Sequence, residues 1–446
     1  MPEERSRVIA PARRTHSPKE VVLGVNAAEV VENSRIYLER ERALKGQSCP
    51  LGTDHVGVVR FVSRKAMGPA LDLLLTANCM PEITGRLCPE VFEETLCQNR
   101  RGDRISLRAI ERFIAEHVRY SSVKDTSKKA LGKVAVIGSG PSGLSAAWTL
   151  ARRGYVVTVF DAASWTGGML AYGWGSFELP SSALRHVLAR FEAAGVHFQT
   201  NYIFGRVASA QELLEQGFGA VLIATGAGRP AFLGIEGESA GGVLSADEFL
   251  KAVNARHVDA DLWLGPKVVV VGENDAAFSC ARMAVRAGRQ VLVAVRGPET
   301  HIQANPMFVR HAIEEGVKVK AFTRPVKVTV GADGCVRGLV CRYLDYRMDG
   351  KGRLVMMEDE TAEFDLEAST VIVAAGWEPD TLFLRDIPGL GFNSDGSIRT
   401  KPELAETGVR GVFAAGNVVE PAMSLTDAML SGTRAADEID RYLNAK

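Results

Sequence analysis

The stretch Lys133-Val-Ala-Val-Ile-Gly-Ser-Gly-Pro-Ser-Gly143 leads from an apolar β-strand through a glycine-rich turn into a helix. Gly138 permits the tight turn, Gly140 lets the backbone approach phosphate groups, and Gly143 lets the helix pack against the strand. The N-terminus of such a helix presents unpaired N–H groups and a partial positive charge to an anion. The stretch therefore predicts a binding site for the pyrophosphate of a dinucleotide.

The residues that follow complete a nucleotide-binding unit. After the helix, which ends near Gly154, a second apolar strand covers residues 156–160 and delivers Asp161. A carboxylate in this position accepts hydrogen bonds from a ribose hydroxyl. A lone glycine motif is weak evidence, but strand, turn, helix, strand and acid in this order favour nucleotide binding over a purely structural turn.

Further along the chain, strands alternate with helices, which is the pattern of a parallel, doubly wound sheet. A second nucleotide unit begins with the strand and turn at residues 267–277 and continues through a helix to a strand at residues 291–295. Two other apolar strands lead to Gly226 and Gly376, where backbone or a cofactor can come close. Near the end, Ser424-Leu-Thr-Asp427 predicts a helix start that opens toward a cofactor.

The composition indicates a globular protein without a global electrostatic bias. Of the 446 residues 46% are hydrophobic, and 53 Lys and Arg balance 53 Asp and Glu. This balance argues against a nucleic-acid partner, and no segment approaches the roughly 18 consecutive apolar residues of a membrane span. The seven scattered cysteines indicate a reducing compartment. We therefore expect a cytoplasmic protein without membrane insertion.

The N-terminal region has the signals of helices. The basic, proline-containing residues 1–16 predict a tail or an extended arm, with disorder favoured, and Ser17-Pro-Lys-Glu20 and Asn26-Ala-Ala-Glu29 each predict a helix start. Amphipathic helical patterns follow at about residues 54–66, 68–78 and 105–119, before a Ser- and Lys-rich linker at residues 121–132.

Taken together, the motifs resemble those of the glutamate synthase small-subunit family, which are FAD-dependent NAD(P)H oxidoreductases. Besides the two nucleotide turns, the likeness includes Gly85-Arg-Leu-Cys-Pro89, Leu107-Arg-Ala-Ile-Glu-Arg-Phe113, Gly167-Gly168 and Phe413-Ala-Ala-Gly-Asn417. The resemblance implies an α/β fold with a thioredoxin-reductase-like core, in which a helical N-terminal domain precedes two doubly wound Rossmann-like domains. It divides the chain into a helical domain (1–130), an FAD domain in two parts (131–245 and 377–446) and an inserted NAD(P) domain (246–376).

The resemblance also implies the residues that bind each cofactor. The FAD site would comprise Gly138, Ser139, Gly140, Pro141, Ser142, Gly143, Asp161, Gly168, Leu170, Gly416, Asn417 and Thr426. The pyridine nucleotide site would comprise Gly272, Asn274, Asp275, Ala276, Arg296 and Gly376. Asn417 stands where the family usually has aspartate, and an amide can still bond to the hydroxyls of the ribityl chain. No side chain is predicted to act as a catalytic acid, base or nucleophile, and no metal site is predicted from the eight histidines.

The second nucleotide turn departs from the pattern. Asn274 replaces its middle glycine and Glu273 precedes it, so that a side chain stands where backbone would approach phosphate. One interpretation keeps nucleotide binding with adjusted geometry, and the other treats the domain as a retained scaffold. Family members that use NADPH commonly have two arginines after the second strand, whereas this chain has Arg296 and Gly297. NADH is therefore favoured over NADPH.

A loop near the flavin also departs from the family. The family's Gly-Ile-Pro-x-Phe-Arg-Leu-Pro becomes Gly173-Trp-Gly-Ser-Phe-Glu-Leu-Pro180 in this chain. Trp174 and Glu178 either alter access or electronics at the ring or merely repack the loop, and the sequence does not choose between these alternatives.

The iron–sulfur motifs are broken. The family binds two [4Fe-4S] clusters through closely spaced cysteines in the N-terminal domain. Here a charged segment precedes Cys49, and no cysteine lies between Cys88 and Cys97. At most Cys49, Cys79, Cys88 and Cys97, with Glu111 as a further candidate, would hold one cluster, and the pattern favours none.

These features predict an FAD-containing NAD(P)H oxidoreductase subunit. It would exchange hydride with nicotinamide and single electrons with a partner iron–sulfur protein of ferredoxin or polyferredoxin type, within a larger redox complex. One alternative is a structural or docking subunit that keeps FAD but has a non-functional nucleotide site. Another is a stand-alone amine or thiol oxidase.

Overall fold

The computed structural model describes residues 8–15, 17, 19–39, 49–88, 106–120, 130–256, 264–348 and 354–445. Within these residues the helices are α1 (Pro11–Arg14), α2 (Ala27–Glu39), α3 (His55–Ser63), α4 (Met67–Ala77), α5 (Pro81–Leu87), α6 (Leu107–His117), α7 (Pro141–Arg153), α8 (Met169–Tyr172), α9 (Ser181–Ala193), α10 (Ala210–Glu215), α11 (Ala246–Arg256), α12 (Asp275–Arg286), α13 (Pro306–Glu314) and α14 (Leu425–Asn444). No helix of this described part is both long and apolar enough to cross a bilayer.

The strands form two parallel sheets, one three-stranded antiparallel sheet and one two-stranded antiparallel ribbon. In chain order they are β1 (Lys133–Ile137), β2 (Val156–Phe160), β3 (Val196–Gln199), β4 (Ala220–Ile223), β5 (Arg229–Pro230), β6 (Val243–Ser245), β7 (Lys267–Val271), β8 (Gln290–Ala294), β9 (Lys318–Lys320), β10 (Thr323–Val330), β11 (Val336–Met348), β12 (Leu354–Glu367), β13 (Thr370–Val373), β14 (Trp377–Glu378) and β15 (Val412–Ala414).

The first sheet has the strand order β15-β4-β1-β2-β3, and every neighbouring pair is parallel. The strand order reverses at β1, because the chain continues to β2 on one side and returns as β4 on the other. Such a reversal opens a crevice at the carboxyl ends of the strands, where doubly wound sheets bind ligands. The apolar side chains of β1 are buried because helices cover both faces of the sheet.

The second sheet repeats this arrangement with the order β6-β13-β7-β8-β9, again with parallel neighbours. Its central strand β7 enters the second nucleotide turn, as β1 enters the first. A three-stranded antiparallel sheet, β10-β11-β12, precedes β13, and the short β5 and β14 pair with each other. The predicted doubly wound α/β class is confirmed, including the helical region that precedes the first sheet.

One of the two predicted N-terminal helix starts is wrong. Helix α2 does begin after Asn26, whose side chain accepts from the Glu29 N–H while Glu29 accepts from the Asn26 N–H. Residues 19–25 are not helical, although they follow the predicted start at Ser17. The Val21 N–H is donated to the Phe177 carbonyl at 3.0 Å, and Val22 bridges to Val8. Contacts with distant parts of the chain therefore outweigh the local capping signal.

The prediction that residues 1–16 are disordered is also wrong for residues 8–15. Arg14 lies in α1 with only 5% of its surface exposed. It forms an ion pair of 2.6 Å with Glu314 at the end of α13, some 300 residues later in the chain. The rest of the predicted tail includes residues 1–7, which lie outside the described residues. No local pattern in the sequence indicates this pairing, because the two partners are remote in the chain.

Helices α7 and α14 lie side by side over the first sheet. A Cβ built on Gly432 of α14 would lie 2.0 Å from the Ser142 carbonyl oxygen in α7. This distance is far below any van der Waals contact, so only glycine fits at this crossing. Because α7 begins at the glycine-rich turn, the C-terminal helix is held against the same turn.

We therefore predict that Gly432→Ala overpacks this crossing and lowers the free energy of unfolding by about 1–3 kcal/mol. Denaturant titration would measure the change. The matched control is Gly68→Ala, because Gly68 lies in α4, is exposed and has no atom within 4 Å of a built Cβ. That substitution should leave stability unchanged or raise it by less than about 1 kcal/mol. Equal effects of the two variants would contradict the packing argument.

Candidate functional site

The first glycine-rich turn is built from close contacts that exclude side chains at two positions. Gly138 has a φ of 104°, and a Cβ there would lie 2.3 Å from the Ala224 carbonyl oxygen. A Cβ on Gly143 would lie 2.0 Å from the Gly138 carbonyl oxygen. Gly140 differs, because no atom lies within 4 Å of its built Cβ. The turn is therefore packed on its inner side and open at Gly140.

Helix α7 begins at this opening without a side-chain cap. Its N-cap is Gly140 and its first residue is Pro141, so the N–H groups of the first turn receive no cap from the N-cap residue. The Ser142 hydroxyl is buried and has no hydrogen-bond partner among the described residues. A buried orphan hydroxyl at a helix N-terminus fits a ligand with acceptor oxygens, such as a pyrophosphate. These features fit the predicted FAD site.

Residues from the far end of the chain complete the same crevice. A Cβ on Gly416 would lie 2.8 Å from Cβ of Ser142, and the Gly416 N–H is donated to the Ser431 hydroxyl in α14. Asn417 follows directly and is half-buried, and its amide has no hydrogen-bond partner within the described chain. The fold thus brings the predicted residues 416 and 417 to the glycine-rich turn.

Asp161 is held against the turn. Its carboxylate accepts from the Ser139 N–H at 2.8 Å, from the Ser139 hydroxyl and from the Ala163 N–H. Ser139 is fully buried, and its hydroxyl also accepts from the Gly167 N–H at 2.8 Å. The Ser139 side chain is therefore used within the protein, whereas Asp161 is half-buried and keeps lone pairs for a ribose hydroxyl.

Gly168 and Leu170 are the residues predicted to line the flavin. Gly168 has a φ of 54°, and its built Cβ would lie 2.9 Å from Cα of Gly140. Leu170, two residues later, is buried as the second residue of α8. The two predicted flavin-lining residues therefore lie directly beside the turn.

Sequence reasoning missed Thr225 at the carboxyl end of β4. Its hydroxyl is buried without a partner among the described residues, and its Cα would lie 3.1 Å from a Cβ on Gly138. The sequence shows an apolar strand that ends in Thr225 and Gly226. This pattern indicated that backbone or a cofactor approaches closely there, but it did not single out the Thr225 hydroxyl. Trp377, which follows Gly376, likewise has a buried Nε1 without a described partner.

The second turn reproduces the backbone geometry of the first. Gly272 has a φ of 151°, and its Cβ would lie 2.4 Å from the Ala374 carbonyl oxygen. Asn274 is the N-cap of α12. Its side chain accepts from the Ala277 N–H and donates to the Ala374 carbonyl, both at 3.0 Å. The Asn274 side chain is thereby held against the protein, which supports nucleotide binding with adjusted geometry.

Two carboxylates distinguish the second turn from the first. Glu273 is half-buried and accepts from the Gln303 side chain at 3.3 Å. Asp275 accepts from the Asn305 N–H at 2.6 Å. Burial raises the pKa of Asp275 to about 6, and the Glu178 carboxylate adds to the shift, while the Asn305 hydrogen bond opposes it. Negative charge at this turn works against a bound pyrophosphate.

The remaining predicted nucleotide residues lie at the same edge of the second sheet. Ala276 is buried in the first turn of α12. Arg296, two residues after β8, is exposed and has no ion-pair partner among the described residues. Gly376, three residues after β13, has a φ of 107° and no atom within 4 Å of its built Cβ. One unpaired guanidinium and one open glycine thus flank the predicted site.

The loop with Trp174 and Glu178 packs against the nucleotide unit. Glu178 is buried and forms an ion pair of 2.7 Å with Arg282 of α12. The Trp174 ring lies 5.4 Å from that of Phe308 in α13, and its carbonyl accepts from Asn254. Of the two alternatives for this loop, the contacts support repacking, which here joins two parts of the fold.

The described cysteines do not fit a [4Fe-4S] cluster. No group of three or more His, Cys, Asp or Glu could hold a metal ion in the part of the chain that the structure describes. Cys79 is buried against the Ser145 hydroxyl, and burial raises the pKa of its thiol to about 11. Cys97, the fourth candidate ligand, lies outside the described residues.

Cys49 has a different partner from the one that a cluster requires. Burial alone would raise the pKa of its thiol, but hydrogen bonds with His55, Thr53 and the Leu51 backbone together outweigh it, and the pKa is lowered. The pKa of His55 is raised to about 10 against its burial, because Cys49 and Glu111 both favour the imidazolium. Glu111, the further candidate ligand, lies 2.7 Å from His55. These residues form an ion-paired group rather than an open ligand set.

Comparison with known proteins gives two family matches. Residues 132–432 match the family described as pyridine nucleotide-disulphide oxidoreductase. Residues 14–123 match the family described as dihydropyrimidine dehydrogenase domain II, 4Fe-4S cluster. The first match covers both parallel sheets, and the second covers the N-terminal helices whose described cysteines do not converge.

Several whole-chain relatives are similar. The chain is 32% identical to the putative oxidoreductase AegA of Escherichia coli, over 93% of this chain and 66% of that protein. It is 31% identical to the glutamate synthase [NADPH] small chain of Azospirillum brasilense, over 89% and 86%. It is 30% identical to the NADP(+)-dependent formate dehydrogenase subunit beta of Moorella thermoacetica, over 89% and 59%. The chain thus spans less than two thirds of the first and last of these relatives.

Among solved structures, FprA of Mycobacterium tuberculosis in complex with NADPH is similar in fold. Its TM-score is 0.59 at 18% identity, over 70% of this chain and 85% of that one.

We predict that Gly140→Ala folds normally but loses FAD. Gly140 has an ordinary φ of −69° and open space around its built Cβ, so a methyl group there would meet only the approaching cofactor. The flavin-to-protein ratio of the purified variant should fall at least tenfold, with a circular dichroism spectrum like that of the wild type. Gly143→Ala is the contrasting variant, because its methyl group would strike the Gly138 carbonyl and disturb the fold itself. Full FAD content in Gly140→Ala would contradict the site.

Asp275→Asn should stabilise the protein at high pH. The folded-state pKa of about 6 lies above the ordinary 3.8, so the protonated form favours folding and this contribution is lost as pH rises toward 6. The amide keeps the acceptor for the Asn305 N–H without the charge. At pH 8 the variant should therefore gain about 1–3 kcal/mol, and the gain should shrink as pH falls toward 4. Thermal unfolding of nucleotide-free protein across this range would measure it, and a gain independent of pH would refute the assignment.

Proposed function

The chain belongs to the pyridine nucleotide-disulphide oxidoreductase family, and we propose that it is an FAD-containing NAD(P)H oxidoreductase subunit that exchanges electrons with a partner iron–sulfur protein. The observation that carries this proposal is the pair of strand-turn-helix units at the centres of two parallel sheets, the first turn glycine-rich and the second built on Gly272. The first fits FAD by its open Gly140 and orphan Ser142 hydroxyl. The second has the same backbone geometry and faces a pyridine nucleotide in this proposal.

The bound FAD supplies hydride exchange with nicotinamide and one-electron transfer to a partner. The protein supplies binding and electrostatics. The uncapped N-terminus of α7 would bind the pyrophosphate, and Asp161 would accept a hydrogen bond from the ribose. The first-turn N–H groups of helix α14, including that of Thr426, would stabilise negative charge on the flavin. The Asp427 carboxylate caps this end through Ser424, and its charge reduces the positive potential there.

We propose NADH as the preferred nucleotide. Arg296 is the one arginine directly after β8, and Gly297 leaves no second guanidinium beside it for a 2′-phosphate. Glu273 adds a negative charge at the turn. The relatives are named for NADPH or NADP(+), so the choice rests on these residues of the present chain.

We propose that electrons pass to an iron–sulfur protein of ferredoxin or polyferredoxin type. Relatives named as chains or subunits of glutamate synthase and formate dehydrogenase support a place in a larger complex. The broken cysteine motifs of the sequence, before Cys49 and after Cys88, support a partner that provides the one-electron carrier. The seven cysteines scattered over the sequence support the proposal of a reducing, cytoplasmic setting.

A second candidate is a docking subunit with bound FAD and a non-functional nucleotide site. The carboxylates of Glu273 and Asp275 at the second turn favour it, because both oppose a pyrophosphate. The two candidates differ in whether a pyridine nucleotide reduces the flavin.

We predict that NADH bleaches the flavin absorbance near 450 nm under anoxia, and that NADPH does so more slowly. Stopped-flow mixing of the purified protein with each nucleotide would measure both rates. Arg296→Ala should lower the rate with NADPH more than the rate with NADH, because only NADPH has a 2′-phosphate. Oxidised flavin that persists with both nucleotides would exclude the oxidoreductase and leave the docking subunit. Reduction by an amine or thiol without nucleotide would indicate an oxidase.

A further inference from the structure

A buried group of charges joins the flavin-side loop to the nucleotide unit. We define the Glu178 cluster as Phe177, Glu178, Ser279, Arg282, Arg286 and Glu315. Glu178 Oε1 accepts from Arg282 Nη1 at 2.7 Å, and its Oε2 accepts from the Ser279 hydroxyl at 2.5 Å. The side chains of Glu178 and Arg282 are each only 1% exposed. Phe177 and Glu178, in the loop between α8 and α9, therefore pack against α12 through its residues Ser279, Arg282 and Arg286.

The cluster balances its own charge. Glu315 accepts from Arg282 at 2.8 and 3.0 Å and from Arg286 at 2.5 and 3.1 Å, so that two guanidinium groups face two carboxylates. The Phe177 ring lies under both arginines, 3.6 Å from Arg286 and 4.7 Å from Arg282. An arginine at position 178, as in the resembling family, would place a third cation against Arg282. The glutamate is thus the residue that this cluster requires.

Further contacts tie the same loop to the nucleotide unit. The Gly175 N–H is donated to Ser279 at 3.1 Å and to Glu178 at 3.2 Å. Asn254 of α11 donates to the carbonyls of Tyr172 and Trp174 at 2.7 and 2.9 Å. Buried ion pairs contribute little net stability, but they accept only one geometry and are costly to break on one side. The cluster is therefore better suited to fix an orientation than to raise overall stability.

We propose that Glu178 is a positioning residue that fixes the second nucleotide turn relative to the flavin-side loop. Ser279 lies one helical turn after Asp275, on the same face of α12, so a bond between Ser279 and Glu178 sets where the turn lies. The loop that contains Glu178 begins one residue after α8, which contains the flavin-lining Leu170. In this proposal Glu178 acts through these two elements rather than by contact with a cofactor.

This inference rests on the proposed function for its kinetic effect, but it is tested first without nucleotide. Glu178→Gln keeps the shape of the side chain and removes the charge that pairs with Arg282. Hydrogen–deuterium exchange on the FAD-loaded protein should show faster exchange in residues 173–180 and 275–286, with exchange in β1 and α7 unchanged. Ser279→Ala removes only the hydroxyl contact and should show a smaller change in the same two segments.

The second measurement is the rate of flavin reduction by NADH in single-turnover mixing. Glu178→Gln should lower this rate about tenfold to a hundredfold, because a displacement of about 1 Å between reacting groups has such an effect. The nucleotide concentration that gives half the maximal rate should change less than twofold, because no group that binds nucleotide is removed. The matched control is Glu363→Gln, which breaks an exposed ion pair of 2.9 Å with Arg342 on the antiparallel sheet and should change neither measurement.

Unchanged exchange in both segments of Glu178→Gln would overturn the proposal, whether or not the rate falls, because the effect of Glu178 would then lie elsewhere. A wild-type rate despite faster exchange would overturn it as well. If the wild-type flavin is not reduced by either nucleotide, the proposed function fails, and the positioning of the turn is then decided by the exchange result alone. If Glu178→Gln does not fold, Ser279→Ala decides both measurements.

Discussion

Helix α7 is approached from three directions at distances that leave no room for a Cβ atom. Gly143 packs on the carbonyl of Gly138, Gly416 meets the side chain of Ser142, and Gly432 of α14 meets the Ser142 carbonyl. These contacts place strand, turn, C-terminal segment and C-terminal helix around one helix N-terminus. Everything that the crevice offers to a cofactor follows from this packing, since the N–H groups of α7, the Ser142 hydroxyl and Asn417 are held within reach of one another.

The turn of the second nucleotide unit has the same close backbone approach as the first turn but different side chains. Gly272 approaches the Ala374 carbonyl as Gly138 approaches that of Ala224, so the turn is equally tight. Asn274 takes over the capping of α12, and its amide is bonded at both ends. The loss of a glycine therefore changes the charge and the capping of the turn rather than its backbone. This is why the structure supports nucleotide binding even though the motif looks degenerate in the sequence.

The N-terminal region forms hydrogen bonds and an ion pair with distant parts of the chain. Val21 binds the backbone of the flavin-side loop, Arg14 pairs with the end of α13, and the Asn305 side chain donates to the Leu87 carbonyl. Where the resembling family has cluster ligands, the described part of this region has the ion-paired Cys49, His55 and Glu111 and the buried Cys79. The region thus contacts both Rossmann-like units.

The sequence by itself determined the local features: both nucleotide turns, the acid after β2, the capped start of α14 and the alternation of strands and helices that gives two parallel sheets. These depend on backbone constraints and periodicity that a short stretch carries alone. It did not determine the buried Arg14, the extended path of residues 19–25, the capping role of Asn274 or the ion pair between Glu178 and Arg282. Each of these joins groups that are remote in the chain or depends on how deeply a side chain is buried, and only the tertiary structure decides which opposite charge or carbonyl a buried polar group meets.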